Sequence, residues 1–335
     1  MNYMSPWIFT TTRCNLKCPY CYVKQDGNDM GESTYKRIND VFLNMIESGE
    51  KDYVIYRMAG GEPLLTFNKW FPFTEDFIRE SGGKGYVSVI TNLTTISDDM
   101  IEKFSKSNYS FGVSLDGFSY SKPSHDGNSS AEIVKENIDR LITAGVKSID
   151  ISTVIDSSSF NDIEMLAEWI AERNLNWGIY LDHFFCGEID LNVIVEKMVN
   201  VIDILYEHDY NIHDKFKFSN ISISSQYEGC TAGEKLITIF WNGDIFPCQT
   251  TVYEQPVCNI FDDCNITEIF KKQKKYRLGY NFKLPEKCLN CPISDMCGGG
   301  CKQNYKETNR DYVCDILKPV IYYMIKKWRV KNAEL

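Results

Sequence analysis

The chain is poor in what a secreted or membrane protein needs. No stretch approaches the about 18 uninterrupted apolar residues of a bilayer span, and no basic segment followed by an apolar leader opens the sequence. A cytoplasmic protein with no membrane partner is the expectation. Positive charge is also in deficit, with 36 Lys and Arg against 46 Asp and Glu and a net charge of −10. That balance speaks against a basic face for nucleic acid. Internal repeats and low-complexity tracts are missing too. Cysteine is not: there are thirteen, and in a reducing compartment such a number points to metal rather than disulfides.

Three of them, Cys14, Cys18 and Cys21, form a CxxxCxxC run just after the apolar Trp7–Phe9. Three thiolates are one fewer than a cubane [4Fe–4S] cluster needs, so one iron is left to take a substrate or cofactor. A zinc site short of one ligand is the alternative, but structural zinc prefers four protein ligands. The run Ala59-Gly60-Gly61-Glu62-Pro63 follows a second strand-like stretch. Two glycines allow close backbone approach, and Glu62 offers an acceptor for an ammonium group. An ordinary strand-to-helix turn would explain the pair equally well if it stood alone.

Up to about residue 210, strand-like and helix-like stretches alternate, which predicts parallel strands with crossover helices. The expected strands are Trp7–Thr12, Tyr53–Met58, Tyr86–Thr91, Phe111–Leu115, Ser148–Ile155 and Trp177–Phe184. The expected helices lie near Ser33–Ser48, Asn68–Ser81, Ser97–Ser107, Ala131–Ala144, Phe160–Asn174 and Leu191–Tyr206, with Ser33, Ser97 and Ser159 as caps. Six such units fall short of a closed eightfold barrel. An α/β fold follows, a (β/α)6 partial TIM barrel over 1–210. Residues 211–335 are expected to form a separate cysteine-rich domain. In it Asn242-Gly243 signals a two-residue hairpin, and Val320–Val330 reads as a basic aromatic helix.

Together the cysteine triad and the Gly-Gly-Glu-Pro run resemble the radical S-adenosylmethionine (SAM) superfamily. The resemblance implies that Cys14, Cys18 and Cys21 hold a [4Fe–4S] cluster whose open iron chelates SAM. It also implies that Tyr20, Gly60, Gly61, Glu62, Asn92 and Ser114 bind SAM. Leu93 follows Asn92 where the family commonly has glycine, so the backbone there is the point to check. Further on, Cys230, Cys248, Cys288, Cys291, Cys297, Cys301 and Cys314 have spacings similar to the SPASM extension, which carries two auxiliary [4Fe–4S] clusters. The resemblance gives Cys288, Cys291, Cys297 and Cys314 to the distal cluster and Cys230, Cys248 and Cys301 to the proximal one. Zinc knuckles are the alternative, for which seven thiols is an awkward number. The family's eighth cysteine is missing from the 222–227 stretch. The proximal cluster is therefore expected to have an open iron or to borrow Cys186, Cys258 or Cys264.

Three clusters in all, with SAM, imply reductive cleavage of SAM to a 5′-deoxyadenosyl radical, and the auxiliary clusters suggest a sink for the substrate's electron. The expected activity is an oxidoreductase maturing a ribosomally made peptide by a thioether or carbon–carbon cross-link. The sulfatase-maturing branch uses an aspartate where this chain has Gln249, which counts against formylglycine formation. Peptide epimerisation, with Cys186 as hydrogen-atom donor, remains open. So does small-molecule alcohol oxidation, with Asp182 or His183 as a base near the end of the sixth strand. The expected partners are a precursor peptide and a flavodoxin- or ferredoxin-type reductant; because only thirteen residues precede Cys14, either a separate peptide-recognition protein assists or the substrate binds the barrel directly. A plain iron–sulfur electron carrier is the non-enzyme alternative.

Overall fold

The computed structural model describes residues 2–106, 109–118, 129–156, 159–181, 189–219, 221, 230–262, 265–273, 276, 286–301 and 313–333. They form two compact units interleaved along the chain. The first comprises 1–113, 135–148 and 230–282, and the second 114–134, 149–229 and 283–335.

In the first unit, β1 (Tyr3–Thr11), β2 (Tyr53–Gly60), β3 (Gly85–Thr91) and β4 (Tyr109–Ser114) lie parallel and in sequence order. Helices α1 (Glu32–Glu47), α2 (Phe67–Glu80) and α3 (Asp98–Lys106) connect them. The covered side of β2 shows why these helices form where they do. Val54, Tyr56 and Met58 are buried at alternate positions, as the pleat requires. Tyr56 stacks on Phe77 of α2 at 3.8 Å and meets Phe42 of α1 edge-on at 5.7 Å. Burying rings of this kind stabilises the layer by about 2–3 kcal/mol each. Arg57 takes the opposite side of β2, away from the helices, and donates to the Ser5 hydroxyl at 2.8 Å.

β1 starts four residues earlier than its apolar run suggests. Pro6 argues against a central strand there, because it has no N–H for the ladder. The structure accommodates it: Tyr3 and Met4 pair with Tyr53 and Val54, and the pairing with β2 resumes at Trp7. On the other side of β1 lies β8 (Leu236–Ile239), also parallel, with Pro6 opposite Ile237. β9 (Asp244–Phe246) and β10 (Cys258–Asn259) then continue the sheet antiparallel, making it mixed. The β8–β9 connection is not the two-residue loop expected. The Phe240 carbonyl accepts from Gly243 N at 2.9 Å, and of the two turn residues only Gly243 has positive φ, 89°. That is the turn-plus-glycine-bulge form of a longer hairpin.

In the second unit, β5 (Ser148–Ile155), β6 (Asn176–Leu181) and β7 (Phe216–Phe218) are parallel. β5 has the bounds expected of it. Helix α4 (Ala131–Thr143), which from Lys135 onward belongs to the first unit, precedes it; α5 (Ile163–Glu172) and α6 (Leu191–Glu207) follow in the second, and α7 (Ile266–Lys272) belongs to the first. The last helix, α8 (Val313–Ala333), is longer than the Val320–Val330 expected. Its buried Ile316, Leu317, Val320, Ile321 and Met324 recur at helical spacing. It packs on α6, where Asp203 accepts from Tyr323 Oη at 2.6 Å and pairs with Lys327 at 2.6 Å. Of the expected caps, the Ser97 hydroxyl accepts from Met100 N at 3.2 Å. Ser33 does not cap, since α1 starts one residue before it. Ser159 uses its hydroxyl on the Asp156 turn instead. Among the described residues, no helix is long and apolar enough to cross a membrane.

Candidate active site

The cysteine loop leaves β1 and is closed at its neck. Thr12 N donates to Asn28 O at 2.8 Å, and Met30 N to Thr10 O at 2.9 Å. Asp29 clamps the closure. Its carboxylate accepts from Thr11 Oγ1 at 2.7 Å and Arg13 Nε at 2.9 Å, and pairs with Lys69 of α2 at 2.8 Å. Burial alone would raise the Asp29 pKa, but the hydrogen bonds from Lys69, Thr11 and Arg13 hold it down at about 2. A carboxylate depressed on folding contributes stability above its unfolded pKa and loses it as pH falls through the folded value. Asp29→Asn is therefore expected to lower stability by about 1–2 kcal/mol at pH 7, the cations being half exposed. The difference from the parent should shrink between about pH 4 and pH 2, and denaturation curves across that window check it.

Within the loop, Cys21 N donates to Cys18 O at 3.1 Å, a tight turn that sets these two cysteines together. Cys14 receives two donors on its sulfur, Leu16 N at 3.4 Å and Asn92 Nδ2 at 3.6 Å. Burial pushes the Cys14 thiol up to about 11, and the neighbouring charges of Glu62 and Cys21 add to it, while the two donors oppose. A bare thiolate is disfavoured there, whereas a metal supplies the missing positive charge. Two N–H groups aimed at one sulfur suit a metal-bound thiolate. Among the described residues, no three His, Cys, Asp or Glu side chains already stand as a closed metal site. Cys21 is exposed and Cys18 half-buried, so a bound cluster would draw the loop tight. The donor set of three thiols with one corner open fits a cubane that keeps a free iron.

The two glycines at the end of β2 let its backbone meet that of β1 and the loop entry closely. Gly61 N donates to Thr11 O and Glu62 N to Arg13 O, both at 2.8 Å. A Cβ on Gly60 would collide with the backbone of Thr11, and one on Gly61 with that of Arg13. Gly60 also has φ 135°, a value L side chains rarely adopt. The pair thus lets β2 press against the strand that carries Cys14. Glu62 is fully buried, and its carboxylate points inward. Oε1 accepts from Leu64 N at 3.0 Å and Thr91 Oγ1 at 2.6 Å, and Oε2 accepts from Asn92 N at 2.7 Å. It ties the end of β2 to the end of β3. Tyr20 is half-buried in the cysteine loop, and Ser114 ends β4 in the second unit. Asp182, His183, Cys186 and Cys264 lie outside the described residues, as does the 222–227 stretch.

Sequence reasoning missed the contacts that dock this loop. Phe9, Val23, Phe240, Phe246 and Val252 form one buried cluster, with Tyr22 edge-on to Phe9 at 6.5 Å. Lys24 N donates to Tyr253 Oη at 2.6 Å. Tyr22 keeps 43% of its surface exposed. Burial of the rest, with charge at Cys21, Cys248 and Tyr253, still raises its pKa well above the usual phenol value. Both a triad cysteine and Cys248 therefore lie within electrostatic reach of one ring. Gly233 N donates to Pro247 O at 3.2 Å, bringing the Cys230 segment beside the Cys248 one. Gln249 sits against Cys248, whose Sγ donates to its Oε1 at 3.2 Å. Cys258 pairs with Ile245 and so shares its side of the pleat, away from Phe246 and the cysteine loop. In the second unit, Cys291 N donates to Cys288 O at 3.2 Å and Gly300 N to Cys297 O at 3.1 Å. Gly298, Gly299 and Gly300 all have positive φ, coiling the chain toward Cys301. Cys314 lies in the first turn of α8.

Comparison with known proteins places the chain in a family. The chain is 20% identical to a cysteine-type anaerobic sulfatase-maturating enzyme of Clostridium novyi (strain NT), over 95% of this chain and 94% of that one. It is 24% identical to the radical SAM cyclopropyl synthase TigE of Paramaledivibacter caminithermalis, over 96% and 73% respectively. The solved structure of native anSMEcpe with bound AdoMet and Cp18Cys peptide superposes with a TM-score of 0.79 at 20% identity, covering 99% of this chain and all of that one. The fold is thus the α/β radical SAM fold with a SPASM domain. These two domain types imply iron–sulfur clusters and SAM binding. With residues 8–170 matching the Radical SAM superfamily and residues 230–292 the SPASM iron-sulfur cluster-binding domain, the chain belongs to the radical SAM enzymes that carry a SPASM domain.

Proposed function

We propose that this enzyme oxidatively modifies a ribosomally made peptide, forming a thioether or carbon–carbon cross-link. In this reading 1–210 is the radical SAM module and 211–335 the SPASM module. Cys14, Cys18 and Cys21 hold the SAM-binding cluster, and the seven later cysteines hold two auxiliary clusters. Bound there, the first cluster would supply the electron for reductive cleavage of SAM, the source of hydrogen-abstracting power. The protein's own residues position it: the Asp29 clamp fixes the loop neck, the glycine pair seats the cysteine strand, and Tyr22 with Tyr253 packs the loop on the hairpin that bears Cys248.

The observation that carries the choice of product is Gln249 against Cys248. An amide has no proton affinity near neutrality, so that position offers no general base for formylglycine formation. The relatives named above include a maturase and a cyclopropyl synthase, and one structural neighbour holds a peptide. The chemistry balances if the substrate loses two hydrogen atoms, one as H• and one as a proton, and its remaining electron passes to an external acceptor; auxiliary clusters held by the seven later cysteines would supply a route for it. A separate recognition protein and a flavodoxin- or ferredoxin-type donor belong to the same reading.

Anaerobic, reconstituted protein with SAM, a strong reductant and a co-expressed candidate peptide tests it. The expected result is 5′-deoxyadenosine together with a peptide lighter by about 2 Da. An unchanged peptide mass with deuterium at Cα from D2O would establish the epimerase instead. No 5′-deoxyadenosine at all would leave an electron carrier.

A further inference from the structure

Asn92 is placed by an unusual piece of backbone. The next residue, Leu93, has φ 54° and is fully buried. A leucine in that region costs about 1–2 kcal/mol, so the surroundings must impose it. They do: Leu93 N donates to Thr91 Oγ1 at 2.8 Å, and Leu93 O accepts from Asn137 Nδ2 at 2.9 Å. One residue earlier, Asn92 N is held by Glu62. The kink turns the Asn92 amide toward the cysteine loop, where every part of it is used. Its Nδ2 donates to Cys14 Sγ at 3.6 Å and to Asn15 Oδ1 at 3.0 Å. Its Oδ1 accepts from Thr94 N at 3.0 Å and from Thr94 Oγ1 at 2.7 Å. The backbone N–H of Thr94 fixes which end of the amide is oxygen, since the reverse would set two donors against each other.

We propose that Asn92 is a positioning residue for the iron–sulfur cluster, holding Cys14 and raising the cluster's reduction potential through an N–H···S bond, rather than a contact to SAM. The inference rests on the reading of Cys14, Cys18 and Cys21 as cluster ligands. An N–H donor on a cluster thiolate favours the more negative, reduced state, so it eases the one-electron reduction that starts the reaction. The residues around Cys14 assign the donors: Leu16 N from the loop itself, and Asn92 from the end of β3.

The test is spectroscopic potentiometry on the full-length, reconstituted protein, following the cluster signal that responds to SAM, with SAM affinity measured separately. Asn92→Ala is expected to shift the midpoint to more negative potential in the absence of SAM and to leave SAM affinity unchanged. Thr94→Val, which removes one of the two groups orienting the amide, should shift it in the same direction by less. Leu93→Gly keeps the kink and the amide, and should leave the midpoint where it is. An unmoved midpoint in Asn92→Ala, or weaker SAM binding with an unmoved midpoint, overturns the proposal. If Asn92→Ala does not fold, Thr94→Val decides it by the same two criteria. A parent protein that shows no SAM-responsive cluster signal would instead overturn the ligand assignment on which the proposal stands.

Discussion

Gly61→Ala is expected to strip the protein of the cluster proposed for Cys14, Cys18 and Cys21. The added methyl would run into the carbonyl of Arg13, one residue before the first triad cysteine. Nothing flexible lies in the way: the obstacle is backbone, and the same carbonyl already accepts from Glu62 N. The strand must move, and with it the loop entry, breaking the Gly61–Thr11 and Glu62–Arg13 hydrogen bonds. A loss of about 2–4 kcal/mol is expected, in the range of overpacked cores with broken buried hydrogen bonds. Iron per chain and the denaturation midpoint together check this. Both unchanged would mean that the strand pair gives way without consequence.

Glu62→Gln is the second large effect expected, and it separates two roles for one residue. As an acceptor for a SAM ammonium group, Glu62 could be replaced with little change in the SAM-free protein. As the buried knot between β2 and β3, it could not. The glutamine NH2 must face Leu64 N and Thr91 Oγ1 or else Asn92 N, a donor against a donor in a dry site. Leaving such groups unpaired costs about 2–4 kcal/mol in sum. The geometry favours the knot, so the SAM-free variant should unfold at markedly lower denaturant concentration. Unchanged stability with weakened SAM binding would assign Glu62 the ligand role instead.

Much of the fold could be read from residue pattern alone. β5 has its expected bounds, and α1, α2, α4 and α6 lie within a residue or two of them, because amphipathic periods of two and 3.6 are local properties. What escaped was set by distant partners. Nothing near Pro6 announces that a strand beginning at Leu236 will lie beside it and tolerate the missing N–H. Ser33 fits a cap by composition, but the helix starts at Glu32. For the site, the cysteine spacings and Gly60-Gly61-Glu62-Pro63 pointed to two segments that the structure joins, through Gly61 N to Thr11 O and Glu62 N to Arg13 O. Their division of labour was hidden, because it depends on which way a buried carboxylate points and on what a missing Cβ makes room for. Asp29, Thr94, Asn137 and Tyr253 had no signal in the sequence, being ordinary polar residues that gain a role from what they touch.

β8 lying against β1 has a practical result for anyone dividing this protein into parts. A fragment stopping ahead of residue 230 would bare the Ser5–Ile8 margin of β1, offering a row of unsatisfied amides and carbonyls to any passing strand. Such a piece should clump rather than behave as a free-standing half. The stretch from Leu236 to Asn259 is therefore masonry for this sheet, and cannot be treated as an accessory bolted on afterward.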